Sequence, residues 1–174
     1  LLSTMHAADD KRVHYKEALA LNQAGFQISH VVRDGNEGEM LDGIRLLSFP
    51  ARGRGIFDRL RCFWRIYRLA RSAKAEVYHC NEADSWIIGI VLKLFSGAKL
   101  VHDVHEIYSS DLAESRFPAF LRPLIVALAR VLFIPLGFLT DRFVFAKASV
   151  AIDYPLVSKR KCLVAANYVE LPKD

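Results

Sequence analysis

The residues of this chain best equipped for chemistry fall in three short blocks. His6, Asp9, Asp10 and Arg12 lie near the N-terminus, His79, Asn81 and Glu82 near the middle, and His105 and Glu106 further on. Imidazole, amide, carboxylate and guanidinium groups can hydrogen-bond a polar ligand or stabilise charge that develops in a reaction. Each block follows an apolar run short enough to be a β-strand. In an open parallel sheet, ligands bind outside the carboxyl ends of the strands. The sequence therefore places these groups along one rim, with Asn167 after the last strand as a further polar residue. Asp103 and His105 lie two residues apart and share a face if the chain is extended there. His102 points to the other face and reads as structural, and Asp103 reads as a residue that fixes loop backbone.

Those blocks need elements to position them. Leu1–Thr4 reads as the end of a strand, Met5–Asp10 as a polar loop, and residues 11–24 as a helix capped by Asp9 or Asp10 and stopped by Gly25. Strands are expected over 26–32, 44–49, 76–80, 99–104, 142–146 and 161–165, the first closed by Asp34-Gly35-Asn36 and the second by Pro50. Helices are expected over 57–74 and 85–95, the latter ended by Ser96-Gly97, and over the apolar segment 118–139. Strand and helix in alternation, with near-continuous apolar strands, predict an α/β fold: a Rossmann-like parallel sheet with helices on both faces. Because the sequence opens at Leu1 directly in a strand, a few preceding residues are expected to complete it.

The 174 residues are 52% hydrophobic and 25% charged, enough apolar material for a core and unlike a disordered chain. A net charge of +5 favours anionic partners without choosing among them. Cys62, Cys80 and Cys162 are odd in number and lack metal-ligand spacing, which argues against a disulfide framework or a zinc site and fits a reducing compartment. Cys80 reads as a small buried residue.

Two segments raise the question of a membrane. Residues 52–74 hold eight arginines and lysines against one acid, Asp58. Arg61, Arg65 and Arg68 share a helical face with Arg54, and Phe57, Leu60, Phe63, Trp64 and Tyr67 occupy much of the rest. A basic helix with aromatics, here Arg61, Trp64, Arg65 and Arg68, fits an anionic membrane surface. The other reading is a sheet-covering helix with a solvated outer face. Residues 119–139 are about long enough to cross a bilayer, but Arg122, Pro123, Arg130 and Pro135 interrupt them. They are read as a helix pair that packs on the sheet or meets a membrane surface, not as a span.

Taken in register, three blocks carry a resemblance. They are His6-Ala-Ala-Asp-Asp-Lys-Arg12 with Tyr15-Lys-Glu-Ala18 and Ala24-Gly25, then Val77-Tyr-His-Cys-Asn-Glu82, then Gly97-Ala-Lys-Leu-Val-His-Asp-Val-His-Glu-Ile-Tyr108. In this order they resemble the N-terminal domain of glycosyltransferase family 4, of GT-B fold, and one bacterial branch in particular. Ala166-Asn-Tyr-Val169 resembles the family's crossing into the second domain, with Ala166 where proline is usual. The resemblance implies an acceptor-side domain over residues 1–166 and the start of a linker over 167–174, leading to a C-terminal donor-binding domain beyond this sequence. It implies transfer of a sugar from a nucleotide-diphosphate sugar to a glycan or lipid-linked acceptor in surface polysaccharide assembly. Transfer would retain configuration, use no metal and no other cofactor, and occur in the cytoplasm at the inner face of the membrane. The 174 residues alone would then be inactive.

The resemblance also assigns roles. His105 matches the family histidine that faces the transferred sugar, with Glu106 orienting it or its loop. His6, Asp10, Arg12, His79, Asn81 and Glu82 become candidates for substrate contact. Asn81 and Glu82 stand where many relatives carry histidine and aspartate, so acid–base work by Asn81 is not expected. The first loop lacks the glycine pair with which many relatives approach the donor phosphates. Against each role stands a plainer one: a backbone-satisfied His105, a solvated His6, a helix-surface Arg12, and Lys16 and Glu17 that simply stabilise their helix.

The same residues bear on other functions. A dinucleotide-binding oxidoreductase needs a glycine-rich first turn, and this one has no glycine. A nucleic-acid-binding module would explain the arginines, but no recognised motif accompanies them. A nucleotide- or anion-binding Rossmann module without catalysis, or a non-enzymatic partner in a glycan-assembly complex, are the remaining alternatives.

Overall fold

The strands form where apolar runs end at turn-formers. Residues 44–49 and 99–104 are strands over the full predicted lengths, β4 (Ile44–Phe49) and β6 (Lys99–Val104). The computed structural model describes residues 1–8, 10–34, 38–50 and 55–165, without the side chains of residues 5–7. Asp9, Gly35, Asn36, Arg52, Arg54, Asn167 and the predicted linker over 167–174 lie outside the described residues. The chain divides into two compact units, Leu1–Leu100 and Val101–Asp174, and each is taken by itself.

In the first unit, strands β1 (Leu2–Ala7), β2 (Ser29–Arg33), β3 (Met40–Leu41), β4 and β5 (Val77–Cys80) lie in the order β3-β4-β2-β1-β5. All pairings are parallel except β3 with β4. That hairpin was not predicted. It turns at Asp42 and Gly43, both at positive φ (51° and 79°), the geometry that tight hairpins demand. The predicted polar loop 5–10 begins too early, because β1 continues to Ala7. Its pairing with β2 reaches Arg33 through a register shift, so His6 sits on a strand. The first helix is not uniform either. It opens as a π-helical turn over Val13–Ala18 and becomes α1 (Leu19–Gln23). Ala18 packs with Val32, Ile44 and Leu46 into a buried cluster. By strand alternation Leu47 and Phe49 project to the opposite face of β4. Helix α2 (Ile56–Ser72) packs on β2 and β4 with Ile66 and Ala70 buried, and α3 (Ala83–Ser96) packs on β1 and β5. Gly97 ends α3 in the left-handed conformation, φ 71°.

In the second unit, β6, which begins two residues before the division, pairs in parallel with β7 (Arg142–Phe145), and β7 with β8 (Cys162–Val164). Helix α4 (Tyr108–Arg116) was not predicted. The segment expected as a helix pair is one helix, α5 (Arg122–Leu139), entered through a single 3-10 turn over Ala119–Leu121. Pro123 falls in its first turn, where a missing N–H costs nothing, and Pro135 is carried inside without ending it. One side of α5 packs on α4, on Tyr154 and, at buried Gly137, beside Phe143 of β7, while the other side is exposed along its length. Both units are parallel-strand, helix-covered α/β structures, the Rossmann-like class that the sequence predicts.

Candidate functional site

In the first unit the predicted site residues cluster where β5 ends and the π-helical turn begins. Asp10 accepts the backbone N–H groups of Arg12 (2.9 Å) and Val13 (3.0 Å), satisfying donors that the helix start leaves unpaired. The turn that follows aims Glu17 back. One Glu17 oxygen accepts from Arg12 Nε at 3.3 Å, and the other accepts from Asn81 Nδ2 at 2.6 Å. Asn81 is fully buried, whereas the Arg12 side chain is 24% exposed. Glu17 thus joins two predicted contact residues that stand 69 positions apart in the chain (81 − 12). Sequence reading gave Glu17 only a helix-stabilising part; the signal that it does more is a π-turn, which leaves no mark in composition.

Glu82 is tied still more firmly. Its carboxylate accepts the Ser3 hydroxyl at 2.6 Å and the Thr4 N–H at 3.1 Å, both on β1. Its backbone N–H donates to Ser85 Oγ at 3.0 Å, and its side chain accepts from the Ser85 N–H, a reciprocal capping box at the start of α3. Charge-assisted bonds of this kind, at the positive end of a helix, hold the β5–α3 junction to β1. Any ligand contact by Asn81 or Glu82 has to coexist with these bonds. His79 is half-buried on β5, facing away from buried Tyr78 and Cys80. Burial pushes the Cys80 thiol far up, as expected of a packing residue. The side chain of His6 is outside the described residues.

Two other imidazoles of this unit were not among the candidates. His14 and His30 are fully buried and stack at 6.3 Å, and His14 Nε2 meets Asp42 Oδ2 at 3.1 Å. They fasten the π-turn to the hairpin. The helical-surface candidates Arg61, Trp64, Arg65 and Arg68 are all exposed on α2, next to exposed Phe57 and Leu60. Trp64 stacks on Tyr67, whose hydroxyl accepts from Arg71.

In the second unit His105 lies one residue past β6. Its side chain is 15% exposed and its Nδ1 stands 3.5 Å from Oδ1 of Asp103, whose side chain is 4% exposed. Both ring nitrogens of His105 are buried, so the exposed part of the ring is carbon. Glu106 is exposed and opens the loop into α4. It hydrogen-bonds Asp111, a residue that sequence reading passed over. Partial burial, then this bond and the charge of Glu106, raise the Asp111 carboxyl above its ordinary value, while Lys147 opposes them.

Beneath that loop is a buried ion network. Asp153 is fully buried and accepts from the Ser109 N–H (2.9 Å), Ser109 Oγ (2.6 Å) and Arg130 Nε (3.1 Å). It joins the start of α4, the middle of α5 and the 3-10 turn Ala148–Asp153. His102 is fully buried in an aromatic cluster with Tyr108, Phe143 and Tyr154, the Tyr154 hydroxyl lying 3.3 Å from its Nε2. That environment is structural, and burial pushes the Tyr154 hydroxyl far up.

The family described as "Glycosyl transferase 4-like domain" matches over residues 12–145. No curated protein matches the sequence. Among solved structures, the crystal structure of Arabidopsis thaliana UGT89C1 complexed with UDP is similar at 9% identity, with a TM-score of 0.49 over 91% of this chain and 46% of that one. The chain thus spans about half the length of that solved protein.

Proposed function

This chain belongs to the family of glycosyl transferase 4-like domains, and on that premise we propose that it is the N-terminal, acceptor-side half of a GT-B glycosyltransferase. The observation that carries the reading is the placement of His105, 15% exposed at the carboxyl end of a parallel strand and 3.5 Å from buried Asp103. In the proposed reaction the bond between the anomeric carbon and the leaving diphosphate breaks, and a bond from that carbon to an acceptor hydroxyl forms. The hydroxyl proton passes to the departing nucleoside diphosphate, which leaves with the bonding pair. A ring held in place can hydrogen-bond the transferred hexose where positive charge gathers in the transition state. Glu106 steadies the loop that carries it. His6, Asp10, Arg12, His79, Asn81 and Glu82 serve the acceptor side, directly or by holding the loops that touch it.

The donor in this reading is a nucleotide-diphosphate sugar, held mainly by a C-terminal domain. The acceptor is a glycan or lipid-linked glycan of a bacterial surface polysaccharide, and transfer retains configuration without a metal. The work is done in the cytoplasm at the inner membrane face, where Arg61, Trp64, Arg65 and Arg68 of α2 meet anionic lipid. Transfer assays on the longer protein with a panel of nucleotide-diphosphate sugars test the proposal. His105→Ala is expected to lower the rate about 100-fold or more, the usual scale for losing a transition-state hydrogen bond. Donor binding without turnover would favour the non-catalytic anion-binding module. Transfer by the 174 residues alone would refute the division of labour between halves.

A further inference from the structure

Helix α5 presents a face unlike any other in its unit. Pro123, Leu124, Ala127, Leu128, Val131, Leu132, Pro135 and Phe138 are all exposed and recur every three to four residues, a single apolar stripe along the helix with no charge on it. Leu132 and Phe138 are 67% and 65% exposed. A soluble surface does not ordinarily leave such a stripe bare. The two arginines of the segment are off it. Arg130 turns away to Asp153, and Arg122 Nε donates to the Phe117 carbonyl at the helix entrance.

What lies at the end of the stripe identifies its occupant. Lys161 Nζ donates to the carbonyls of Phe138 (3.2 Å) and Thr140 (2.7 Å), closing the C-terminus of α5. That contact sets the basic triplet Lys159-Arg160-Lys161 at the C-terminal end of α5, with Lys159 and Arg160 exposed. A shallow apolar cleft between α5 and the segment 153–157, lined by Phe138, Pro155 and Leu156 among others, continues the stripe to Val157, two residues before the triplet in the chain. Bare aliphatic surface bordered by cations matches a bilayer interface with anionic headgroups, in which acyl chains take the stripe and phosphates the triplet. A second copy of this chain would bring like charges together at the same border. The segment is long and apolar enough to cross a bilayer, but α4 covers its other side and the Arg130–Asp153 pair sits there, so only one face is open to lipid.

We propose that α5 lies along an anionic membrane surface, its exposed stripe in the interface and Lys159 and Arg160 on lipid phosphates. This contact is separate from that of α2 and does not depend on the transferase reading. The test is flotation of the chain with vesicles of phosphatidylcholine alone and of phosphatidylcholine with 30 mol% phosphatidylglycerol. The chain should float with the anionic vesicles, and added salt should weaken it. L128Q/L132Q and, separately, K159Q/R160Q should each lower partitioning about tenfold or more, at roughly one kcal/mol per cation near such a surface. These positions are exposed, so unchanged circular dichroism and unfolding midpoints are expected. Flotation equal to the parent's in both variants overturns the proposal. So does flotation abolished by R61Q/R65Q/R68Q but kept in L128Q/L132Q, which assigns binding to α2. A concentration-dependent dimer in size-exclusion chromatography that L128Q/L132Q dissolves also overturns it, since the occupant is then a second copy. No sugar is present in any arm, so failure here leaves the transferase proposal untouched, and the reverse.

Discussion

The strand ends of the two units use similar residues for different ends. At the end of β5, Asn81 and Glu82 are buried and spent on internal bonds: Asn81 to Glu17, and Glu82 to Ser3, Thr4 and Ser85. At the end of β6 the carboxylate of Asp103 lies 3.5 Å from Nδ1 of His105, whose side chain is 15% exposed although both of its ring nitrogens are buried. One arrangement closes a junction with hydrogen bonds, and the other leaves only a ring edge uncovered at the strand end. Polar residues at strand termini therefore divide by what their neighbours ask of them, and residue type alone does not tell which is which.

The largest expected effect lies in the buried ion network beneath the loop after β6. Asp153→Ala leaves Arg130 and the Ser109 N–H without their acceptor, and should cost about 3–5 kcal/mol in urea unfolding. A loss below about 1 kcal/mol would mean that the pair is a surface ornament and that the loop after β6 is held by something else. Glu82→Ala should cost about 2–4 kcal/mol, since two charge-assisted bonds and a helix cap go together. If stability holds and only ligand binding suffers, the two strand ends are alike after all.

Gly89→Ala sharpens the structural side. A Cβ there would stand 2.5 Å from Cys80 Sγ and 2.6 Å from Leu100 Cδ1. The overpacked α3–β5 contact should lose about 1–3 kcal/mol by thermal unfolding, and an unchanged midpoint would show the junction to be looser than drawn. The smallest effect belongs to Asp111. Its raised carboxyl pKa means that the folded chain holds the proton more tightly than the unfolded one. Stability should therefore fall as pH rises from the ordinary Asp range through the raised value. Asp111→Asn should remove that slope and gain less than about 0.5 kcal/mol at neutral pH, because the group is exposed. A steeper slope in the variant would contradict the pairing with Glu106.

How far the sequence was legible follows the same division. β4 and β6 were readable end to end because apolar runs met Pro50 and the loop after Val104, and Gly97 marked the stop of α3. Helix α4 was not, because Tyr108-Ser-Ser-Asp-Leu-Ala-Glu-Ser-Arg116 has no apolar stripe, and Ser109 in its first turn is anchored to Asp153, 44 residues on. The hairpin at Asp42-Gly43 had its signal in the dipeptide, but a two-residue strand is too short to show a period. In α5 the two prolines suggested a break, yet Pro123 sits in the first turn, where a helix carries it, and the helix continues through Pro135. The β6 group was legible only as Asp103 and His105 sharing a face: the sequence gives Asp103 to the loop backbone and the orientation of His105 to Glu106, whereas Asp103 lies beside the ring and Glu106 faces Asp111. The β5 group was legible as polar residues only, since the partners that bind them, Ser3 and Glu17, lie more than 60 positions away.

The central claim is that the His105 imidazole is presented to a reacting sugar and is not there to hold the fold. The direct measurement is sugar transfer by the longer protein carrying His105→Ala, paired with the unfolding midpoint of the same variant. The account predicts a rate down about 100-fold or more at a midpoint within a degree or two of the parent's. A variant that transfers sugar at the parent rate, or one whose loss of activity follows its loss of folding, would contradict it.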